Sequence, residues 1–189
     1  SSTDPSGGVF YPVYFGKDFV LNDLTHDGGL TAIRIEGPTN SVDQRVNRLS
    51  KELGLLDQEL SILDNEQSNI FWSRTKNLEV FKKLEGNLLR IVLPISETLQ
   101  VIQKLKSYDI KYFVDWGGSL IWAAFETLNA KILSDIKDIV KKHQGYITLI
   151  KIEDDLKASA DIFTIDPIKY KISEKIKRSF DPKRIFNPG

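Results

Sequence analysis

Few side chains in this 189-residue chain are of types that do chemistry. The two histidines are His26, in the turn-rich stretch LNDLTHDGG (21–29), and His143, at the end of a helical pattern. They are far apart and have no histidine neighbours, so they lack the spacing of metal ligands. His143, beside the last carbonyls of its helix, reads as a cap. Glu153, Asp154 and Asp155 could serve as an acid and a base only if apolar neighbours lifted one of their pKa values. They read as a solvated loop more than as an acid/base pair. Cysteine is absent, which removes thiolate nucleophiles, disulfides, Cys-ligated zinc and iron–sulfur ligation together. Gly28-Gly29 follows no strand of the required kind and opens no helix, so it makes no phosphate loop. Arg74 and Lys76, within FWSRTKN (71–77), read on the residues alone as a solvated helix face. Trp72 reads as core, and Trp116 and Trp122 as sheet packing.

The totals restrict the partners. Lysine plus arginine count 26 against 26 aspartate plus glutamate, so no net field favours nucleic acid or an anionic membrane. No apolar run reaches the ~20 residues of a spanning helix, and no basic-then-apolar leader opens the chain. Methionine is absent even at position 1, and SSTDPSGG (1–8) reads as a flexible junction. Residues 1–29 are accordingly expected to be an N-terminal junction or irregular segment, although Val13 to Leu21 could pair as a strand. Residues 30–189 are expected to form the domain.

Periodicity then sets the elements. Leu30 to Glu36 alternates like a half-buried strand, and Gly37-Pro38 ends it. Asn40 or Ser41 can cap a following helix whose Val42, Val46, Leu49 and Leu53 should turn inward, with Gly54 closing it. Leu55 to Leu63 reads as a strand, and Asp64 caps a helix bearing Ile70, Phe71 and Trp72. Asn87 to Leu93 is a strand stopped at Pro94, and Ser96 with Glu97 begins a helix bearing Leu99, Ile102 and Leu105. Ile110 to Trp116 and Ser119 to Glu126 make a hairpin turning on Gly117-Gly118. Ala130 to His143 is a helix ended by Gly145, and Tyr146 to Ile152 is the last clear strand. The predicted class is α+β: an antiparallel or mixed sheet with helices on one face. Residues 87–152 form a ferredoxin-like split βαβ arrangement, preceded by a β-α-β unit over 30–63.

The tail is the least ordinary piece. Ile168, Ile172, Ile176 and Phe180 line one face of an amphipathic helix from Pro167 to Phe180, with Lys169, Lys171, Lys175, Lys177 and Arg178 outside it. Asp181-Pro182 stops that helix, and Lys183 to Phe186 should run back to bury Ile185 and Phe186. This ending, SFDPKRIFNPG (179–189), resembles the closing signature of the FAD-linked oxidases of the vanillyl-alcohol-oxidase type. LTAIRIEGPTNSVDQRVNRL, Phe71-Trp72, YFVDWGGSLIW and KKHQGYITLIK further resemble the FAD-binding E subunit of bacterial glycolate oxidase. Together these motifs cover most of residues 30–189.

The resemblance implies a cap or substrate domain that closes over the flavin of an FAD-binding domain expected on the N-terminal side of this sequence. It implies FAD as cofactor, held mainly by that other domain, and a small 2-hydroxy acid such as glycolate as substrate. Asn187 would approach the flavin, and Arg74 or Lys76 would meet the substrate carboxylate, an arginine by a two-pronged bond and a lysine as a point charge. Related dehydrogenases carry an HxH-type metal motif in this half that has no counterpart here. Partners implied are the chain's own FAD-binding domain and other oxidase subunits, flavoprotein and iron–sulfur. The implied location is cytoplasmic, peripheral to the inner membrane through those subunits. Two rivals stay open. One is a free-standing ferredoxin-like binding module, for which RNA is not expected because IKYFVDW offers Tyr112 and Phe113 without a basic Gly-Phe-rich strand. The other is a catalytically silent assembly subunit.

Overall fold

The alternation read over residues 87–93 appears as strand β3, Asn87–Val92, in a computed structural model that describes residues 3–15, 28–54, 60–153, 156 and 167–186. Leu89 and Ile91 point to one side of the sheet and Leu88 to the other. The other strands are β1 (Gly7–Tyr11), β2 (Leu30–Arg34), β4 (Ile110–Asp115), β5 (Leu120–Phe125) and β6 (Tyr146–Lys151). They form one six-stranded sheet in the order β2-β1-β4-β5-β3-β6. Every pairing is antiparallel, so the sheet is not mixed. Among the described residues there are five helices: α1 (Thr39–Glu52), α2 (Asn65–Lys76), α3 (Thr98–Leu105), α4 (Ala130–Lys142) and α5 (Pro167–Phe180). None of them is long and apolar enough to cross a membrane.

Helices cover both faces of the sheet, contrary to the one-faced expectation. On one side Val101, Ile102 and Leu105 of α3 and Leu133, Ile136 and Val140 of α4 pack on Leu89, Ile91, Ile121, Ala123 and Ile147. On the other, Phe71 of α2 and Phe81 of the turn after it pack on Tyr11, Phe113 and Ala124. β5 is buried along nearly its whole length because it is central and covered on both sides.

Of the β-α-β unit expected over 30–63, the first strand and the helix form. Leu60 to Leu63 forms no strand, and residues 55–59 lie outside the described residues. Instead Asp64 caps α2 through the Gln67 amide at 2.8 Å, and the Gln67 side chain reciprocates at 3.2 Å, a capping box that holds the start of α2 without strand support. Helix α1 carries neither expected side-chain cap; Pro38 occupies that position. Its apolar face is only half buried, with Leu53 exposed. What holds α1 is Arg45, whose Nε donates to the Thr3 carbonyl at 2.7 Å, Nη1 to that of Glu36 at 2.9 Å, and Nη2 to that of Asp4.

The N-terminal stretch is not a simple junction. Gly7–Tyr11 is a strand paired along its length with β2. Its glycines answer a packing need: a Cβ on Gly7 would lie 3.2 Å from the Trp72 ring, and one on Gly8 would lie 3.3 Å from the Gly117 Cα. Val13–Phe15 is a 3-10 turn rather than a strand, and residues 16–27 lie outside the described residues.

The apolar stripe of α5 is not turned inward: Ile172, Ile176 and Phe180 are exposed, Phe180 at 85 %. Nor does the tail bury Ile185 and Phe186, which are 68 % and 69 % exposed. It folds onto its own helix instead. The Asp181 carboxylate accepts the amides of Ile185 (2.9 Å) and Phe186 (3.0 Å) and the Lys177 ammonium (2.8 Å), while Arg184 reaches Glu174 at 3.2 Å. The Lys177 bond is the main reason the Asp181 carboxyl is drawn down to about 2, aided by the two amides. Because the fold favours the charged form, this contribution is whole above the ordinary 3.8, declines below it, and is gone once pH passes about 2. An NMR titration is expected to show the Ile185 and Phe186 amides losing protection over that window. Protection unchanged through it would disprove the account.

Candidate functional site

An open cleft of about 790 Å³ lies between α2, the β1–β2 edge of the sheet and the β4–β5 hairpin. The chain has three tryptophans, and all of them, Trp72, Trp116 and Trp122, line this cleft. Trp72 comes from α2, where it stands edge-on to Phe71 at 5.3 Å. Trp122 comes from β5 and stacks on Phe113 at 6.5 Å. Neither is sealed in the core: both are half buried, with a face toward the cleft.

Trp116 is the unusual member. DWGG makes the tight turn expected of it, Gly117 and Gly118 having φ of 61° and 114°, but Trp116 also sits in the left-handed region at φ 52° and is 57 % exposed. That backbone costs a non-glycine residue about 1–2 kcal/mol, and an exposed indole recovers little of it by burial. Its ring lies 4.7 Å from the Arg90 guanidinium, a contact of roughly 0.5–1 kcal/mol at an exposed site. Packing therefore does not account for Trp116, and strain retained at the mouth of a cleft points toward function.

Asp115 stands between the indoles. Its carboxylate accepts the Trp116 amide at 2.7 Å and is bonded by the Trp122 side chain, whose indole N–H is its donor. Burial holds this carboxyl above the usual aspartate range, and the two hydrogen bonds pull against that. The cations on this wall are Arg34, paired with Glu36 at 2.9 Å, and Lys76, which is exposed and makes no ion pair among the described residues. On the α2 side Tyr11 donates to Thr75 and Thr75 to the Phe71 carbonyl, each at 3.0 Å. These bonds tie the last turns of α2, and with them Lys76, to β1.

The structure separates the two cations singled out in FWSRTKN. Lys76 lines the cleft; Arg74 does not, and faces Glu79 at 3.7 Å. Asn187 lies outside the described residues, as do His26, Asp154 and Asp155. Glu153 donates its amide to the Asn87 side chain at 3.0 Å. Sequence reasoning missed Arg34 and Asp115 as cleft residues and favoured sheet packing for Trp116 over a place near the flavin. The left-handed turn implied by DWGG was the one available signal, since a bulky residue ahead of two glycines shares their turn.

His143 is more than a helix cap. It is 8 % exposed, with Nδ1 at 2.6 Å from Glu97 and Nε2 at 2.8 Å from the Lys104 ammonium. An ammonium only donates, so Nε2 accepts and the ring proton sits on Nδ1, facing the carboxylate. This bridge joins the start of α3 to the end of α4 away from the cleft. His143→Ala leaves both partners unmatched and is expected to lower stability by about 1–3 kcal/mol in urea unfolding; a loss too small to measure would show that water replaces the ring.

Among the described residues no group of three or more histidine, aspartate or glutamate side chains is placed to hold a metal. Compared with models of known protein families and with curated protein sequences, the chain matches none.

Proposed function

We propose that this chain is the cap, or substrate, domain of a flavin-dependent oxidoreductase acting on a 2-hydroxy acid, of the vanillyl-alcohol-oxidase type and similar to the E subunit of glycolate oxidase. The observation that carries this reading is the open cleft lined by three tryptophans, with Lys76 at hand for a carboxylate. The strand order β4-β5-β3-β6, with β5 between β3 and β4, supports reading residues 87–152 as a ferredoxin-like split βαβ arrangement.

The fit to FAD is partial on this side. The cleft's cations are too few for a pyrophosphate, so the nucleotide belongs to a separate FAD-binding domain. When bound, FAD supplies a hydride acceptor for the substrate α-carbon. This chain's residues orient the substrate: Lys76 holds the carboxylate, the indoles line the space beside it, and Asp115 faces the hydroxyl. Loss of the α-hydrogen with its electron pair, and of the hydroxyl proton to the Asp115 carboxylate, leaves a 2-oxo acid.

The test is anaerobic mixing of the intact gene product with a 2-hydroxy acid, where bleaching of the flavin absorbance is expected. A gene product that binds no flavin overturns the reading. Tight FAD binding by these 189 residues alone would overturn the division between the two domains. The alternative role, assembly with another oxidase subunit, is favoured by the exposed Ile172, Ile176 and Phe180 of α5, an apolar face suited to a partner surface.

A further inference from the structure

We infer that the acid taken by this cleft is aryl-substituted: a 2-hydroxy acid with a flat ring on its side chain, held ring-against-indole with its carboxylate at Lys76. The inference rests on the functional reading above for the hydroxy-acid part. Its aromatic part rests on the cleft itself.

Size comes first. A two- or three-carbon acid would leave most of a space of about 790 Å³ to water, whereas sites of roughly 300–1,000 Å³ typically take ligands with a ring or more. Composition comes second. All three tryptophans of the sequence line this cleft, from α2, the hairpin and β5, and indoles meet flat rings in offset or edge-on contact. Trp116 adds a third argument. Its exposed face is held at the mouth by a left-handed turn and by Arg90 at 4.7 Å, a placement that packing does not explain and a stacked ligand does.

Charge sets the orientation. Arg34 is engaged by Glu36, which leaves Lys76 as the cleft cation without an ion pair among the described residues. Asp115, on the hairpin side, repels a second carboxylate and accepts a hydrogen bond from a hydroxyl. A monocarboxylate with its ring toward Trp116 and its hydroxyl toward Asp115 satisfies each of these groups, while a dicarboxylate does not.

The experiment titrates this chain with phenyllactate and with glycolate, following indole fluorescence and, in parallel, calorimetry. Phenyllactate is expected to saturate the signal and to bind at least about tenfold more tightly than glycolate. Lys76→Met and Trp116→Gly are each expected to weaken phenyllactate by about tenfold or more, and Arg74→Met to leave it unchanged. An unchanged urea midpoint for Trp116→Gly shows that the loss is not unfolding, since glycine is at ease in that backbone. Glycolate binding as tightly as phenyllactate, or Lys76→Met without effect, overturns the inference and leaves the functional reading to the flavin-bleaching test. Phenylpropionate, which has ring and carboxylate but no hydroxyl, separates the two parts. If it binds as tightly as phenyllactate, the hydroxy-acid assignment falls here even though the cleft selects aromatic anions.

Discussion

Phe113→Ala is expected to lower the unfolding free energy by about 3–5 kcal/mol, the range of large-to-small changes at buried aromatic sites. Phe113 is 0 % exposed and lies between rings on several sides: Tyr11 stacked at 4.8 Å, Phe81 at 5.6 Å and Trp122 at 6.5 Å. Those rings come from β1, from the turn after α2 and from β5, so the cavity would open where three separate segments meet and none can close it alone. Urea unfolding measures the cost directly. Because Trp122 leans on Phe113 and also lines the cleft, the same variant should shift the indole emission of the native state. A cost below about 1 kcal/mol would mean that the layer collapses around the void, contrary to a site held from several sides.

Gly86→Ala is the second large effect, expected at about 3 kcal/mol from the disfavoured backbone alone. Gly86 has φ of 107°, and an added Cβ would lie 2.5 Å from the Phe125 carbonyl oxygen and 3.2 Å from the Glu126 Cα. Both are backbone atoms of the neighbouring strand end, so no side chain can swing away; β3 must shift against β5 at the start of their shared register. Gly54 provides the comparison. Its φ is 66°, but nothing stands within 4 Å of the added atom, and alanine there should cost only about 1 kcal/mol. Equal melting-temperature losses for the two variants would show that the close approach at Gly86 contributes nothing.

Much of the secondary structure was legible because its causes are local. The Asp64 cap, the alternation in Asn87–Val92 and the helical spacing of Ile132, Leu133, Ile136 and Val140 each involve residues within a turn or two of one another. The errors have local causes as well. Gly7-Gly8 looks like a linker because the composition of a junction and of a strand pressed against a tryptophan is the same. Leu60 and Ile62 alternate like a strand yet are exposed and unpaired, since alternation supplies one face and a strand also needs a neighbour's backbone.

The candidate site was legible only in part. Lys76 was singled out and lines the cleft, but nothing in FWSRTKN distinguishes it from Arg74; Glu79, one turn further on, draws Arg74 aside. By itself the amino-acid order determined the α+β class, the helix at α2, the DWGG turn and the balance of charge. Tertiary structure alone decided which face each helix covers, that β1 joins the sheet, and that three tryptophans separated along the chain line one cleft. The reason is physical: caps, turns and periodicity act over a few residues, whereas a cleft exists only where segments distant in sequence approach one another without filling the space between them.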